Sequence, residues 1–253
     1  MKKNRDYQYN FSEILHKQMY DYEGRERKAK TIVAVLNDFF QSDFHSQSLL
    51  DVGCSTGIIS NYLADHFGQV LGIDIDESAI NFAEKKFKKD NLTFIKNDSL
   101  KIKFSQKLFD VVVCAHIYEH VPDASGLMEE VFRVLKPEGV CFFSAGNRMK
   151  IMEPHYNLPF LSVIPKPLAN FYIRASGKSN LYYENHRSYW GLKKLVQNFE
   201  CIDYTQRIIE EPEKFHAEYM IEPDSKKARL AGLIVKYAYW LCPGYIWLLQ
   251  KPA

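Results

Sequence analysis

The 253-residue chain has almost no net charge, few cysteines and no long uninterrupted apolar run, and each shortage removes a class of protein. A formal charge of only +2 leaves no global field of the kind that draws a protein onto nucleic acid. The five cysteines, Cys54, Cys114, Cys141, Cys201 and Cys242, are odd in number and never paired as Cys-x-x-Cys. Most sit in apolar runs that read as core, and a reducing, cytoplasmic compartment fits best. The N-terminus, MKKNRDYQYNF, is basic but no apolar run follows, so no secretory signal is expected. Residues 231–249 are apolar enough to raise the question of a membrane span, yet Lys236 lies inside the stretch and Pro243-Gly244 breaks it. A helix followed by a strand is the expectation there. Internal repeats and low-complexity segments are also missing. What is present is ordinary globular composition, 46% apolar and 25% charged, with aromatic residues at 14%.

Apolar spacing then divides the chain. Ile32, Val33, Leu36, Phe39 and Phe40 recur at helical intervals, so residues 1–44 read as an N-terminal helical cap. From Ser48 onward short β-branched runs alternate with amphipathic segments. Strands are expected at 48–52, 69–73, 92–95, 109–115 and 140–144, and helices from Ile58 through Phe67, over 77–88, and from an Asp123 cap to Leu135. The run FDVVVCA has no polar alternation, as expected of a strand buried on both faces. Lys136-Pro137-Glu138-Gly139 reads as the turn before the fifth strand. Strands alternating with helices imply a parallel, doubly wound α/β sheet with right-handed crossovers. The rhythm breaks at 146–187, where Pro154, Pro159, Pro165 and Pro167 punctuate apolar and aromatic residues, and an inserted lid is expected. A helix over 188–199, a strand over 201–209, a mostly helical stretch over 212–242 and a strand at 245–249 complete one domain. Its parts are the cap at 1–44, a ligand-binding core at 45–145, the insertion at 146–187 and the second half of the sheet at 188–253.

The first strand and its turn read Leu49-Leu50-Asp51-Val52-Gly53-Cys54-Ser55-Thr56-Gly57. In an open parallel sheet this turn borders the crevice where ligands bind. Gly53 and Gly57 would let backbone approach a ligand closely, although glycines serve tight turns without any ligand. A dinucleotide fingerprint would need glycine at 55 and 58, where Ser55 and Ile58 stand, and no Gly-Lys-Ser/Thr string exists. A cofactor without phosphates is therefore favoured. The second strand ends at Asp74, suited to hydrogen bonding both hydroxyls of a ribose, and the third leads to Asp98, an acceptor for an adenine amino group. One such acid is more often a solvated loop charge; three, at consecutive strand ends and in order, form a specific signal.

Over residues 48–145 the strings LLDVGCSTG, VLGIDIDESAI, FIKNDSL, FDVVVCAHIYEHVPD and EEVFRVLKPEGVCFFS resemble the class I S-adenosylmethionine-dependent methyltransferases, especially the branch acting on quinones and other small molecules. The resemblance implies a mostly parallel seven-stranded sheet and S-adenosyl-L-methionine as cofactor. It also implies a binding site made of Asp51, Gly53, Cys54, Ser55, Thr56 and Gly57 beside the methionine moiety, Asp74 and Ile75 at the ribose and adenosine, Asp98 and Ser99 at the adenine, and Ala115 and His116 beside the sulfonium. Ser55 departs from the pattern, since many members carry glycine there.

His116-Ile117-Tyr118-Glu119-His120 spells the inverted zinc-protease string, but His116 comes directly off a strand, which defeats the helical projection that string requires. Some members of the resembled family carry Glu-x-x-Glu-His here and bind a divalent ion; with His116 in place of the first glutamate, these residues are expected to fix the loop and no metal is assigned. Methyl transfer asks mainly for alignment, and a hydroxyl nucleophile benefits from a base, usually histidine. His116 is the first candidate, followed by His120 and His155, each with a purely structural role as the alternative.

The insertion carries Arg148, Lys150, Lys166, Arg174, Lys178 and Arg187 around an apolar segment, residues 155–165. Such a lid suits a small-molecule or lipid-like acceptor, methylated on oxygen before carbon or nitrogen, with contact to a membrane surface; simple packing of the lid onto the sheet is the bland alternative. Nucleic-acid methylation is not expected, because Cys114-Ala115-His116-Ile117 replaces the Asn/Asp-Pro-Pro-aromatic signature of base methyltransferases. Two rivals keep the same fold: an aminopropyltransferase, disfavoured by the basic lid, and a regulatory protein that binds adenosylmethionine without turnover.

Overall fold

The computed structural model describes residues 5–253, so the first four residues of the 1–44 helical cap lie outside the described residues. Three single-turn helices, α1 (Asp6–Tyr9), α2 (Phe11–Ile14) and α3 (His16–Met19), precede the long α4 (Tyr22–Phe40). The Asp21 side chain caps α4 by accepting from Gly24 N, and Gln41 ends it in a left-handed conformation. The sheet and its crossovers follow as β1 (Ser48–Val52), α5 (Ile58–Leu63), β2 (Gln69–Asp74), α6 (Glu77–Lys86), β3 (Leu92–Lys96), β4 (Phe109–Ala115), α7 (Ala124–Val134) and β5 (Leu135–Gly146). Then come the insertion, with β6 (Met152–Glu153), β7 (Leu158–Pro159) and α8 (Lys166–Ala175), and the closing elements α9 (Tyr189–Leu195), β8 (Glu200–Asp203), α10 (Thr205–Glu210), α11 (Lys226–Tyr237) and β9 (Gly244–Gln250).

Seven strands form one sheet in the order β3-β2-β1-β4-β5-β9-β8. The first five pair in parallel, whereas β9 runs antiparallel to both β5 and β8. The period of two along each strand sorts side chains onto two cores. Leu49, Val111, Val113, Phe142 and Leu248 enter the core on the α4–α5 side. Their neighbours Leu50, Val112, Cys114, Phe143 and Leu249 enter the core beneath α7 and α9. Both faces are covered, which is why these strands lack polar alternation. The insertion forms a small core of its own from Leu158, Leu161, Ala169, Ile173 and Tyr182.

Three expectations are corrected. The turn expected over 136–139 falls inside β5 rather than ahead of it, as a bulge: the ladder to β4 passes from the Phe109–Leu135 pair to Val111–Val140, and Glu138 takes a left-handed φ of 61°. The strand expected over 201–209 stops at Asp203; its side chain accepts from Thr205 N, and the chain turns into α10 with Ile208 buried. Helix is sparser than expected over 212–242, confined to α11 and a 3₁₀ turn at Tyr239–Leu241. The apolar stretch 231–249 does split into helix and strand, and among the described residues no helix is long and apolar enough to cross a membrane.

Candidate cofactor crevice and active site

Parallel pairing brings the C-terminal ends of β1, β2 and β3 side by side, with Asp51 opposite Gly72 and Asp74 opposite Lys96. The loop after β1 folds tightly: Gly53 and Cys54 both donate to Ile73 O, and Gly57 N returns to Cys54 O. Gly53 (φ 74°), Ser55 (φ 50°) and Gly57 (φ 75°) all take the left-handed conformation. A Cβ on Gly57 would meet Phe94 and Ala83 side-chain atoms at 2.6–2.7 Å, so space as well as φ requires glycine there. Ser55 adopts the conformation that glycine adopts without strain, and its N–H is held by Asp74 Oδ2 at 2.8 Å. Asp74 Oδ1 accepts from Asp76 N at 2.9 Å. The Asp74 carboxylate thus ties two loops together at the point where it would face a ribose.

Asp51 is only 4% exposed and accepts from Ser60 Oγ at 2.6 Å. Burial pushes its pKa up to about 6, opposed by the Ser60 hydroxyl and the charge of Arg25. Arg25, on α4, is itself buried and lies within electrostatic reach of Asp51 and Asp74; burial lowers its pKa, and both carboxylates oppose that. No motif marked this arginine, whose only sequence signal is a cation within an amphipathic helix. Asp98 is not free. Arg5 forks onto it with bonds of 2.6 and 2.9 Å, and Leu100 N adds a third at 3.0 Å.

Arg5 belongs to an N-terminal segment lying over the strand tips. Ser12 N and Oγ donate to Asp76, and the Thr56 hydroxyl donates to Met19 O at 2.6 Å. Two open clefts lie elsewhere, one of about 220 Å³ lined by Met128, Arg187 and Phe199, the other of about 500 Å³ lined by Asp203, Arg207 and Tyr239. Beneath the segment, Gly53, Asp74, Ile75, Asp98, Ser99 and Ala115 keep partial exposure. Cys54 is turned into the core; its N–H donates to Ile73 O and its C=O accepts from Gly57 N. Ser55 Oγ and Asn97 Oδ1 are buried without a hydrogen-bond partner at the tips of β1 and β3. Orphaned polar atoms on both sides, beside a buried arginine and two carboxylates, fit a polar ligand such as adenosylmethionine.

At the tip of β4, His116 also takes a left-handed φ of 58°, which turns its ring outward, and the side chain is 53% exposed. Its Nδ1 lies 3.3 Å from Glu119 Oε1 and its Nε2 3.0 Å from Ser144 Oγ. Burial would raise the Glu119 pKa, but the imidazoles of His116, His120 and His186 outweigh it and bring the group to about 2. His120 and His155 are brought together at a ring distance of 4.9 Å, beneath Phe11 and beside Tyr7. His155 Nδ1 meets Glu153 Oε1 at 2.5 Å, and His186 Nε2 and Lys150 Nζ meet Glu153 Oε2 at 3.0 and 2.8 Å. The parts played by Arg5, Arg25, Glu153 and Glu184 went unmarked in the sequence, because each depends on contacts between distant segments.

Residues 50–143 match the family model described as "Methyltransferase domain". In that stretch the chain is similar to the class I S-adenosylmethionine-dependent methyltransferases. A demethylmenaquinone methyltransferase from Lactococcus lactis subsp. lactis (strain IL1403) is 31% identical over 131 residues, covering 49% of this chain and 52% of the relative. A ubiquinone biosynthesis O-methyltransferase from Coxiella burnetii (strain Dugway 5J108-111) is 33% identical over 110 residues, covering 43% of this chain and 47% of the relative. The chain therefore spans about half the length of the curated methyltransferases it matches. Among solved structures, an S-adenosylmethionine dependent methyltransferase from Mesorhizobium loti superposes with a TM-score of 0.54 at 18% identity, over 83% of this chain and 93% of that one. The cyclase SpnF superposes with 0.53 at 16% identity, over 87% and 82%, so the methyltransferase fold alone does not dictate the reaction.

Proposed function

We propose that the protein methylates an oxygen of a small or lipid-like acceptor, using S-adenosylmethionine, with His116 as the base. The observation that carries the reading is the placement of His116, an outward-facing imidazole at the end of β4 backed by a buried, ionised Glu119. With Nδ1–H donating to Glu119, Nε2 is the basic nitrogen. The acceptor's hydroxyl would take the place of Ser144 Oγ on it and yield its proton as the new C–O bond forms. Glu119 then steadies the imidazolium, as a buried carboxylate does in other histidine-based sites. When bound, adenosylmethionine supplies an electrophilic methyl on a sulfonium that leaves as a neutral thioether. Asp74 would orient the ribose, Asp51 and Arg25 the amino and carboxylate groups of the methionine moiety, and Asp98 the adenine once Arg5 yields it. A role for Arg25 at the carboxylate also favours methyl transfer over aminopropyl transfer, whose donor lacks that group.

The names of the relatives, one acting on demethylmenaquinone and one an O-methyltransferase of ubiquinone biosynthesis, support a quinol-like acceptor. Contact with a membrane surface is supported by Ile151 (66% exposed), Phe160 (56%), Leu168 (59%) and Phe171 (69%), all on the insertion, with Arg174 and Lys178 nearby in the chain. Transfer of labelled methyl from adenosylmethionine to quinol and lipid extracts tests the activity. His116→Ala should lower turnover by about 100-fold, the usual worth of a positioned base, with little change in cofactor affinity. Equal turnover in the variant removes His116 from the mechanism, and no labelled product in any fraction overturns the reading. Loss of co-sedimentation with anionic vesicles in Phe171→Glu tests the membrane contact.

A further inference from the structure

We infer that His120, His155 and Glu184 form a site for a divalent transition-metal ion such as zinc. The three residues come from separate stretches of chain: the loop after β4, the turn between β6 and β7, and the segment leading into α9. They bring one ligand atom each to within 4.8 Å of one another. His120 Nδ1 stands 3.8 Å from Glu184 Oε1. Tetrahedral coordination at zinc–ligand bonds of about 2.1 Å needs ligand atoms about 3.4 Å apart, so modest side-chain rotation closes the set.

Hydrogen bonding distinguishes this group from its neighbour. Glu153, His155 and His186 also converge, but there Glu153 is saturated by His155, His186, Tyr182 and the Lys150 ammonium, and a second cation beside Lys150 would be repelled. In the proposed set, His120 Nδ1 is buried without a hydrogen-bond partner, and so is Oε2 of Glu184, a residue with no exposed surface. The Tyr156 hydroxyl lies within reach of Glu184, but His120 Nδ1 keeps no partner, and a buried imidazole nitrogen 3.8 Å from a buried carboxylate is an arrangement that a shared cation would complete.

The surroundings orient the ligands as metal sites require. Glu153 holds His155 through Nδ1, which leaves Nε2 to bind, the arrangement in which a carboxylate fixes the tautomer and ring plane of a metal-ligating histidine. Tyr7 donates to Glu184 Oε1 at 2.8 Å, and the Tyr156 hydroxyl lies beside the same carboxylate, so two hydroxyls hold it in place. Two histidines and one glutamate supply three of the four positions of a zinc site and keep the fourth open, the pattern of catalytic rather than structural zinc. The site does not depend on the methyl-transfer reading, because none of its ligands belongs to the cofactor crevice.

Metal content tests it directly. Untagged protein stripped with chelator and incubated with zinc, then desalted, should retain one zinc per chain by elemental analysis. Cobalt in its place should give the visible d–d bands of a four-coordinate site. Glu184→Gln, nearly isosteric, and His155→Ala should each lose the retained metal, while His186→Ala keeps it. Wild-type protein that retains no metal overturns the proposal. So does a result in which His186→Ala loses the metal and Glu184→Gln does not, since that places the ion on the Glu153 cluster instead. Far-ultraviolet circular dichroism of Glu184→Gln separates a lost ligand from a lost fold: loss of metal with native ellipticity supports the site, and retention overturns it.

Discussion

Asp51 and Glu153 are equally hidden, at 4% and 0% exposure, yet burial leaves them in opposite states. Asp51 at the β1 tip is met by one hydroxyl and the charge of Arg25, and burial drives its pKa up to about 6. Glu153 in the insertion faces the same burial, but hydrogen bonds from His155 and His186 and the charge of Lys150 overcome it and hold its pKa far below the usual carboxylate range. Compensation, more than depth, decides whether a buried acid is ionised at ease. An under-compensated acid beside orphaned polar atoms is poised for a ligand that completes it. A fully compensated one holds structure together.

The largest effect that sharpens this contrast is expected at the saturated acid. Glu153→Gln leaves the Lys150 ammonium buried without its counter-charge and should lower unfolding free energy by about 4 kcal/mol in urea titrations. A loss below about 1 kcal/mol would mean that the insertion does not rest on this hub. Asp51→Asn should act in the opposite direction. The folded-state pKa of Asp51 is raised from 3.8 to about 6. Its stability contribution is therefore present below pH 3.8 and lost as pH rises through 6. Removing the charge should raise stability by about 3 kcal/mol at pH 8, with the gain shrinking between pH 6 and pH 4. Thermal melts across that range check the sign, and weaker cofactor binding should accompany the gain.

Asp74→Ala comes next, with about a 100-fold loss of adenosylmethionine affinity by titration calorimetry, from the loss of charge-assisted bonds. Unchanged affinity in a folded variant would remove Asp74 from the site. Smallest is Arg5→Ala. The Arg5–Asp98 pair is partly exposed and worth less than about 1 kcal/mol, so freeing Asp98 should raise cofactor affinity by about 3-fold. A drop in affinity would instead make Arg5 a cofactor contact.

The same contrast explains what could be read in advance. The β1–β5 core was legible because its motifs are contiguous and obey local rules. Glycine positions follow φ, the Asp123 cap accepts from Ser125 and Gly126 N as its place before α7 implies, and doubly buried strands lack polar alternation. The insertion was legible only as an interruption. Its Glu153 hub joins residues from 150 to 186, and Glu184 meets Tyr7 across most of the chain; no spacing rule connects such positions. Local signals placed the turn at Pro137–Gly139 but not its setting, a bulge within β5 between the Leu135 and Val140 pairs. The His116–Glu119 pair was visible as letters, but its use depends on a left-handed φ that places the ring outside the sheet.

The most direct measurement is calorimetric titration of the wild-type chain with adenosylmethionine and with its decarboxylated form. Saturable binding of one adenosylmethionine per chain, clearly tighter than the form lacking the carboxylate that Arg25 is proposed to meet, is the expected result. Absence of binding by the folded protein would contradict the assignment of the β1–β3 tips as a cofactor crevice.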